Sequence, residues 1–142
     1  AIYDENKNLL IKGLSKWILM NYKTRRISMF NNIKYPFECL EETNFENKFN
    51  KIEDFDINNF SFIETTTSEN DLDINCHVNN ASYARIVLNN IVFDITINHF
   101  EINYIKEIKA NQKLKIYYLK KDNTYYIKAF NNEEVIFVLI VY

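Results

Sequence analysis

The residues best suited to chemistry in this 142-residue chain lie in one short segment, residues 71–79. Its even positions are all apolar, and its odd positions are all polar, namely Asp71, Asp73, Asn75, His77 and Asn79. Because successive side chains of an extended chain point to opposite sides, the pattern predicts carboxylates, amides and an imidazole on one face. An amphipathic strand with a solvated face is the other interpretation, although Asp and Asn are depleted in strands.

A helix is predicted directly after this segment, from Asn80 to Asn98, with Asn79 or Asn80 as its N-cap. The backbone N–H groups at the start of a helix lack intrahelical partners and carry a partial positive charge. They would lie beside Asn75 and His77. Helix N–H groups beside an amide and an imidazole can polarise a carbonyl group and stabilise an oxyanion. The segment therefore predicts chemistry in which an acyl carbonyl is attacked.

The elements around this segment predict an α+β fold. The helix is apolar in nearly every direction, which is typical of a helix buried on all sides, although a strand over 91–97 is an alternative. Four strands are then predicted, over 100–108, 114–118, 125–129 and 135–142, and apolar residues alternate in the second and third of them. The turns at 122–123 and 131–132 contain Asn, which tolerates positive φ better than most residues. We expect a curled antiparallel sheet around one helix.

The N-terminal part of the chain predicts two strands, over 9–20 and 25–30, joined by a turn at 21–24. Residues 31–59 are acidic and show no clear period, so we interpret them as a linker with a short helix over 37–43. A strand is predicted over 61–67.

Composition excludes several classes of protein. Gly13 is the single glycine, whereas dinucleotide fingerprints, phosphate-binding loops and Gly-x-Ser-x-Gly elbows need at least two close together. A net charge of −2 argues against a general nucleic-acid binder. Cys39 and Cys76 make no disulfide scaffold, and no apolar run is long enough for a membrane helix. We therefore expect a cytoplasmic protein with no inserted membrane segment and no nucleic-acid partner.

The run from Asp71 to Asn80, followed by Tyr83, resembles the signature of the acyl–acyl carrier protein thioesterases, which contain two hotdog folds in one chain. Residues 16–21 with 24–26 resemble the last strand of the first hotdog, and 102–107 resemble the strand after the second helix. The resemblance implies terminal strands of an incomplete first hotdog over 1–29, a linker over 30–59 and a second hotdog over 60–142. Because unpaired sheet edges are usually avoided, a fragment of a longer protein is preferred over a homodimer.

The resemblance also implies which residues act. The catalytic aspartate, asparagine, histidine and glutamate of the family fall on Asp73, Asn75, His77 and Glu107. Glu107 would be the general base or would orient water, Asp73 would fix the imidazole, and Asn75 with the helix N-terminus would hold the thioester oxygen. Substrate-binding positions fall on three further residues: Asn79, Asn80 and Tyr83.

The implied substrate is a fatty acyl group carried on the phosphopantetheine of an acyl carrier protein, and no metal or organic cofactor is implied. Some family members have a cysteine directly after the glutamate, whereas this chain has Ile108. Cys76 would face away from His77 in an extended segment. Lys23, Arg25 and Arg26 form a basic cluster that could meet the carrier protein or only be solvated. The alternatives are an acyl-CoA thioesterase and a non-catalytic hotdog that binds acyl chains or mediates assembly.

Overall fold

The computed structural model describes residues 1–15, 17–24, 26–29 and 51–142, and the chain divides into two compact units, 1–50 and 51–142. In the first unit, strands β1 (Ile2–Tyr3) and β2 (Leu9–Ile11) pair antiparallel. Among the described residues, the strand predicted over 9–20 is therefore wrong beyond residue 11, apart from an isolated bridge between Met20 and Ile27. The turn predicted at 21–24 is confirmed. The helix predicted over 37–43 lies outside the described residues.

The second unit is an antiparallel sheet with one helix, which confirms the predicted α+β hotdog class. Its elements are β3 (Ser61–Thr66), α1 (Asn80–Asn90), β4 (Phe100–Tyr104), β5 (Lys113–Lys121), β6 (Thr124–Asn131) and β7 (Glu134–Val141). The strand order is β3-β5-β6-β7-β4. No helix in the described ranges is long and apolar enough to span a membrane.

Two tight turns produce the central hairpins. The turn residues are 122–123 and 132–133, and Asp122 and Asn132 adopt φ values of 55° and 54°. Asn and Asp tolerate this left-handed conformation better than other side chains, so they replace the usual glycine. The second turn lies one residue later than predicted.

The core lies between α1 and one face of the sheet. Ile116, Ile127 and Phe137 on the central strands are fully buried and belong to one cluster with Val87 of the helix. Leu88, in contrast, is 46% exposed, because the sheet covers only one face of α1 within this unit. The prediction of a helix buried on all sides is therefore wrong for its outer face.

Two elements end earlier than predicted. The helix ends at Asn90 instead of Asn98, since Ile91 is already extended (φ −114°, ψ 126°) and caps the last turn with its N–H. Strand β4 ends at Tyr104 instead of residue 108. The N–H groups of Ile105 and Lys106 both donate to the carbonyl of Ile136, which interrupts the ladder with β7.

Residues 51–60 pack along the sheet although they were predicted mostly as linker. The N–H of Ile52 donates to Oδ1 of Asn103 on β4 at 2.7 Å. The nearly buried Lys128 donates to Asp54 Oδ1 at 2.5 Å and to the carbonyl of Phe55 at 3.1 Å. These contacts attach the segment to the outer face of strands β4 and β6.

Candidate active site

The segment that carries the polar residues folds back on itself. Leu72 and Val78 form an antiparallel bridge, and the N–H of Asp73 donates to the carbonyl of His77 at 2.7 Å. Cys76 adopts a φ of 60°, which reverses the chain between them. The prediction of an extended segment with one polar face is therefore wrong, because a local turn competes with the strand.

Asp73 explains why the turn forms. Its Oδ1 accepts hydrogen bonds from the N–H groups of Asn75 (2.8 Å) and His77 (3.2 Å), a pattern that lets Asp stabilise turns. Although burial alone would raise the pKa of Asp73, these hydrogen bonds outweigh it and lower the pKa. The recorded hydrogen bond to His77 comes from the backbone, whereas we expected Asp73 to fix the imidazole ring.

The imidazole of His77 faces Glu107. Their Nδ1 and Oε2 atoms are 3.3 Å apart, with exposed side-chain fractions of 22% and 52%. The two residues are distant in sequence but meet because the N–H of Val78 donates to the carbonyl of Ile108 at 2.8 Å. A half-buried imidazole beside a carboxylate can accept and pass on a proton.

The start of α1 lies directly after this turn. Asn79, one of the two predicted candidates, is the N-cap, and its Oδ1 accepts from the N–H of Ala81 at 2.9 Å. The N–H of Ser82 donates to the Asn79 carbonyl at 2.8 Å. Two N–H groups expected to be available at this end are therefore already bonded. The carbonyl of Asn80 accepts from the Tyr104 hydroxyl at 3.1 Å.

A pocket of about 130 Å³ opens beside Glu107. Its lining includes Asn80, Tyr83 and Glu107, so three of the predicted site residues share one pocket. His77 lies outside this lining but contacts Glu107. The other lining residues are Val78, Tyr104, Ile105 and Lys106. Asn75 and Asn79 do not line it. Asn75 is exposed, and its Nδ2 lies 3.4 Å from Asp73 Oδ2.

Asp71 connects the polar segment to Ser68 and to α1, a role that the alternating pattern did not reveal. Its buried carboxylate accepts from the N–H (2.7 Å) and Oγ (2.9 Å) of Ser68 and pairs with Arg85 of α1. Its carbonyl accepts from Ser82 Oγ at 3.1 Å. The spacing Ser68-x-x-Asp71 is a capping pattern, and this spacing could have indicated the structural role of Asp71 from the sequence.

Cys76 is exposed. Within the described ranges, no group of three or more His, Cys, Asp or Glu side chains could hold a metal ion.

Comparison with known proteins decides the family. Residues 55–135, more than half of the chain, match the family described as the acyl-ACP thioesterase C-terminal domain. The chain belongs to the acyl-ACP thioesterase family. The resemblance drawn from residues 71–83 is thereby confirmed.

This chain spans only part of the length of the proteins that it matches. It is 31% identical over 98 residues to a chloroplastic acyl-acyl-carrier-protein hydrolase of Cuphea viscosissima, covering 61% of this chain and 22% of that protein. An acyl-ACP thioesterase structure from Bacteroides thetaiotaomicron superposes with a TM-score of 0.69 at 23% identity, covering 86% of this chain and 51% of the other. The 12:0-ACP thioesterase of Umbellularia californica gives 0.65 at 20% identity with the same coverage. These two structures share the hotdog fold, and the chain spans about half of each.

Proposed function

We propose that this chain carries the reaction site of a thioesterase that hydrolyses fatty acyl–acyl carrier protein thioesters to free fatty acid. The observation that carries the proposal is the His77–Glu107 pair, 3.3 Å apart, beside a pocket at the start of α1. Membership of a thioesterase family supports hydrolysis as the reaction.

The reaction begins with a water molecule that attacks the thioester carbonyl carbon. The Glu107–His77 pair takes the proton of this water as it attacks. Negative charge then develops on the carbonyl oxygen. The positive end of the α1 dipole, which lies at the pocket, stabilises this charge. When the C–S bond breaks, the pair returns the proton to the thiolate, which leaves a carboxylic acid and a thiol.

The pocket is suited to the reacting end of the substrate. About 130 Å³ is well below the roughly 300–1,000 Å³ of sites that enclose a drug-sized ligand. The thioester would enter between Val78 and Asn80, next to Glu107. The rest of a fatty acyl chain would extend beyond the residues that line this pocket.

The test is thiol release from acyl carrier protein thioesters by the 142-residue chain and its Glu107→Ala and His77→Ala variants. We expect each variant to lose at least about 100-fold in kcat, the usual contribution of general acid–base catalysis. The chain offers a matched control, since His99 Nε2 and Glu101 Oε2 form a second pair 3.7 Å apart outside the pocket. Glu101→Ala should keep the parent rate.

The outcomes separate the alternatives. Equal losses in Glu107→Ala and Glu101→Ala, or no loss in either, would contradict the assignment of the site. Acyl-CoA thioesters are assayed in parallel, and a preference for CoA would change the carrier without changing the site. A folded parent chain that releases no thiol from either carrier would favour the non-catalytic alternative.

A further inference from the structure

The position of Glu107 depends on how its loop is held. Glu107 lies in the loop 105–112, which joins β4 to β5, and its side chain is 52% exposed. At the start of the loop, two N–H groups donate to the carbonyl of Ile136. Directly after Glu107, the carbonyl of Ile108 accepts from the N–H of Val78 at 2.8 Å. The remainder of the loop is held by a residue of another segment.

Thr67 holds this remaining part of the loop. It follows β3 directly and is only 1% exposed. Its hydroxyl donates to the carbonyl of Lys109 at 2.7 Å and accepts from the N–H of Gln112 at 3.0 Å. Its backbone N–H donates to the carbonyl of Gln112 at 3.0 Å, and its carbonyl accepts from the N–H of Asn111 at 2.8 Å. The bonds of Thr67 therefore fix both the start and the end of the segment 109–112.

The hydroxyl of Thr67 acts on the part of this segment that is nearest to Glu107. It binds the carbonyl of Lys109, two residues after Glu107, whereas the backbone bonds of Thr67 reach only residues 111 and 112. Without the hydroxyl, the Lys109 carbonyl loses this partner and the loop can shift beside Glu107. A displacement of about 1 Å at a reacting group can lower a rate roughly 100-fold, so a small shift is sufficient.

We propose that Thr67 is a positioning residue that keeps the Glu107 carboxylate in contact with His77, an inference that rests on the proposed thioesterase function. Thr67 does not line the pocket, so its effect on the reaction passes through the loop. The loop in turn sets the separation of 3.3 Å between His77 Nδ1 and Glu107 Oε2. The alternative is that Thr67 only stabilises the fold.

Thr67→Val separates the two accounts, because it removes the hydroxyl and keeps the branched shape. We expect kcat of the folded variant to fall about 10- to 100-fold, with KM changed less than about twofold, and Thr67→Ser to recover most of the parent rate. In a Glu107→Ala chain, adding Thr67→Val should lower kcat no further, because the carboxylate that Thr67 positions is already gone. An unchanged kcat in Thr67→Val, a Thr67→Ser chain that is equally slow, or equal losses in both backgrounds would overturn the inference.

Tyr125 provides the matched control for lost stability. It is 5% exposed, its hydroxyl donates to Asp94, and it does not line the pocket. Tyr125→Phe and Thr67→Val each remove a hydrogen-bonded hydroxyl from a buried residue, so we expect both chains to melt at a lower temperature than the parent. At a temperature where both are folded, only Thr67→Val should lower kcat. Equal losses of kcat in the two variants would attribute the effect to stability and would overturn the inference.

Crystal structures of the parent and Thr67→Val chains supply a readout that is independent of turnover. We expect His77 and Glu107 to remain in contact in the parent, and Glu107 to be displaced by about 1 Å or more in the variant. A parent chain that releases no thiol would contradict the proposed function, and the crystal structures alone would then decide this inference. An unchanged separation of His77 Nδ1 and Glu107 Oε2 in the variant would overturn it.

Discussion

Asp71 offers the sharpest test of how the fold supports the site. Asp71 is 5% exposed, and its carboxylate accepts two hydrogen bonds from Ser68, at 2.7 and 2.9 Å, besides pairing with Arg85. Its carbonyl accepts the N–H of Asn79 at 2.8 Å. Asp71 therefore joins the polar segment to the start of α1 and to the short 3-10 helix Glu69–Asp71, which follows Ser68.

The size of the effect follows from these contacts. Hydrogen bonds to a charged group contribute about 1.5–3 kcal/mol each, less where the donor can turn to water, as exposed Ser68 can. The Arg85 side chain is 52% exposed, so solvent screening limits its ion pair to about 0.5–1 kcal/mol. We expect Asp71→Ala to lower the free energy of unfolding by about 2–4 kcal/mol. The matched Arg85→Met variant removes only the ion pair and should lose about 0.5–1 kcal/mol.

The pH dependence gives the prediction a second check. Burial would raise the pKa of Asp71, but the hydrogen bonds from Ser68 and the Arg85 charge outweigh burial and lower it. A carboxylate with a lowered pKa in the folded state stabilises the protein above its ordinary pKa near 4, and this stabilisation is lost as the pH falls through the lowered value. The stability gap between the parent chain and Asp71→Asn should thus be full at pH 7 and shrink below about pH 4.

Urea unfolding of the parent, Asp71→Ala, Asp71→Asn and Arg85→Met chains, at pH 7 and at several acidic pH values, measures both effects. The reasoning would be refuted if Asp71→Ala were no less stable than Arg85→Met at pH 7. It would also be refuted if the gap between the parent and Asp71→Asn did not change on acidification.

Three further predictions concern single contacts. Asp54→Ala should destabilise the chain more than Lys128→Met, as seen by thermal melting, because it leaves a nearly buried ammonium without its carboxylate; equal losses would contradict this account. Asn132→Gly should keep the stability of the parent, whereas Asn132→Val should lose about 1–2 kcal/mol in urea unfolding, because φ is 54° there; identical stabilities would show that the turn relaxes. Cys76 has a φ of 60°, which glycine adopts more easily, so Cys76→Gly should raise the melting temperature and keep thiol release. Loss of turnover in the folded variant would instead show that the Cys76 thiol takes part in the reaction.

The sequence alone determined the features that depend on local patterns. Alternating apolar residues located β5 and β6, since a period of two is a property of the strand itself, and a continuous apolar run located β7. Asn79 indicated the start of α1, because a cap depends only on the residues that follow it. The residue types of the polar segment, together with Tyr83, indicated the family.

Only the tertiary structure decided how these residues meet. Alternation over 71–79 predicted a shared face, but hydrogen bonds from Asp73 close a turn instead. His77 and Glu107 meet through a backbone hydrogen bond from Val78 to Ile108, a contact between distant segments that leaves no periodic signal in the sequence. The residue types of the site could be identified from the sequence because the chemistry of a side chain is a property of the residue itself. The distances between these side chains could not be predicted, because they depend on which strands and turns the folded chain brings together.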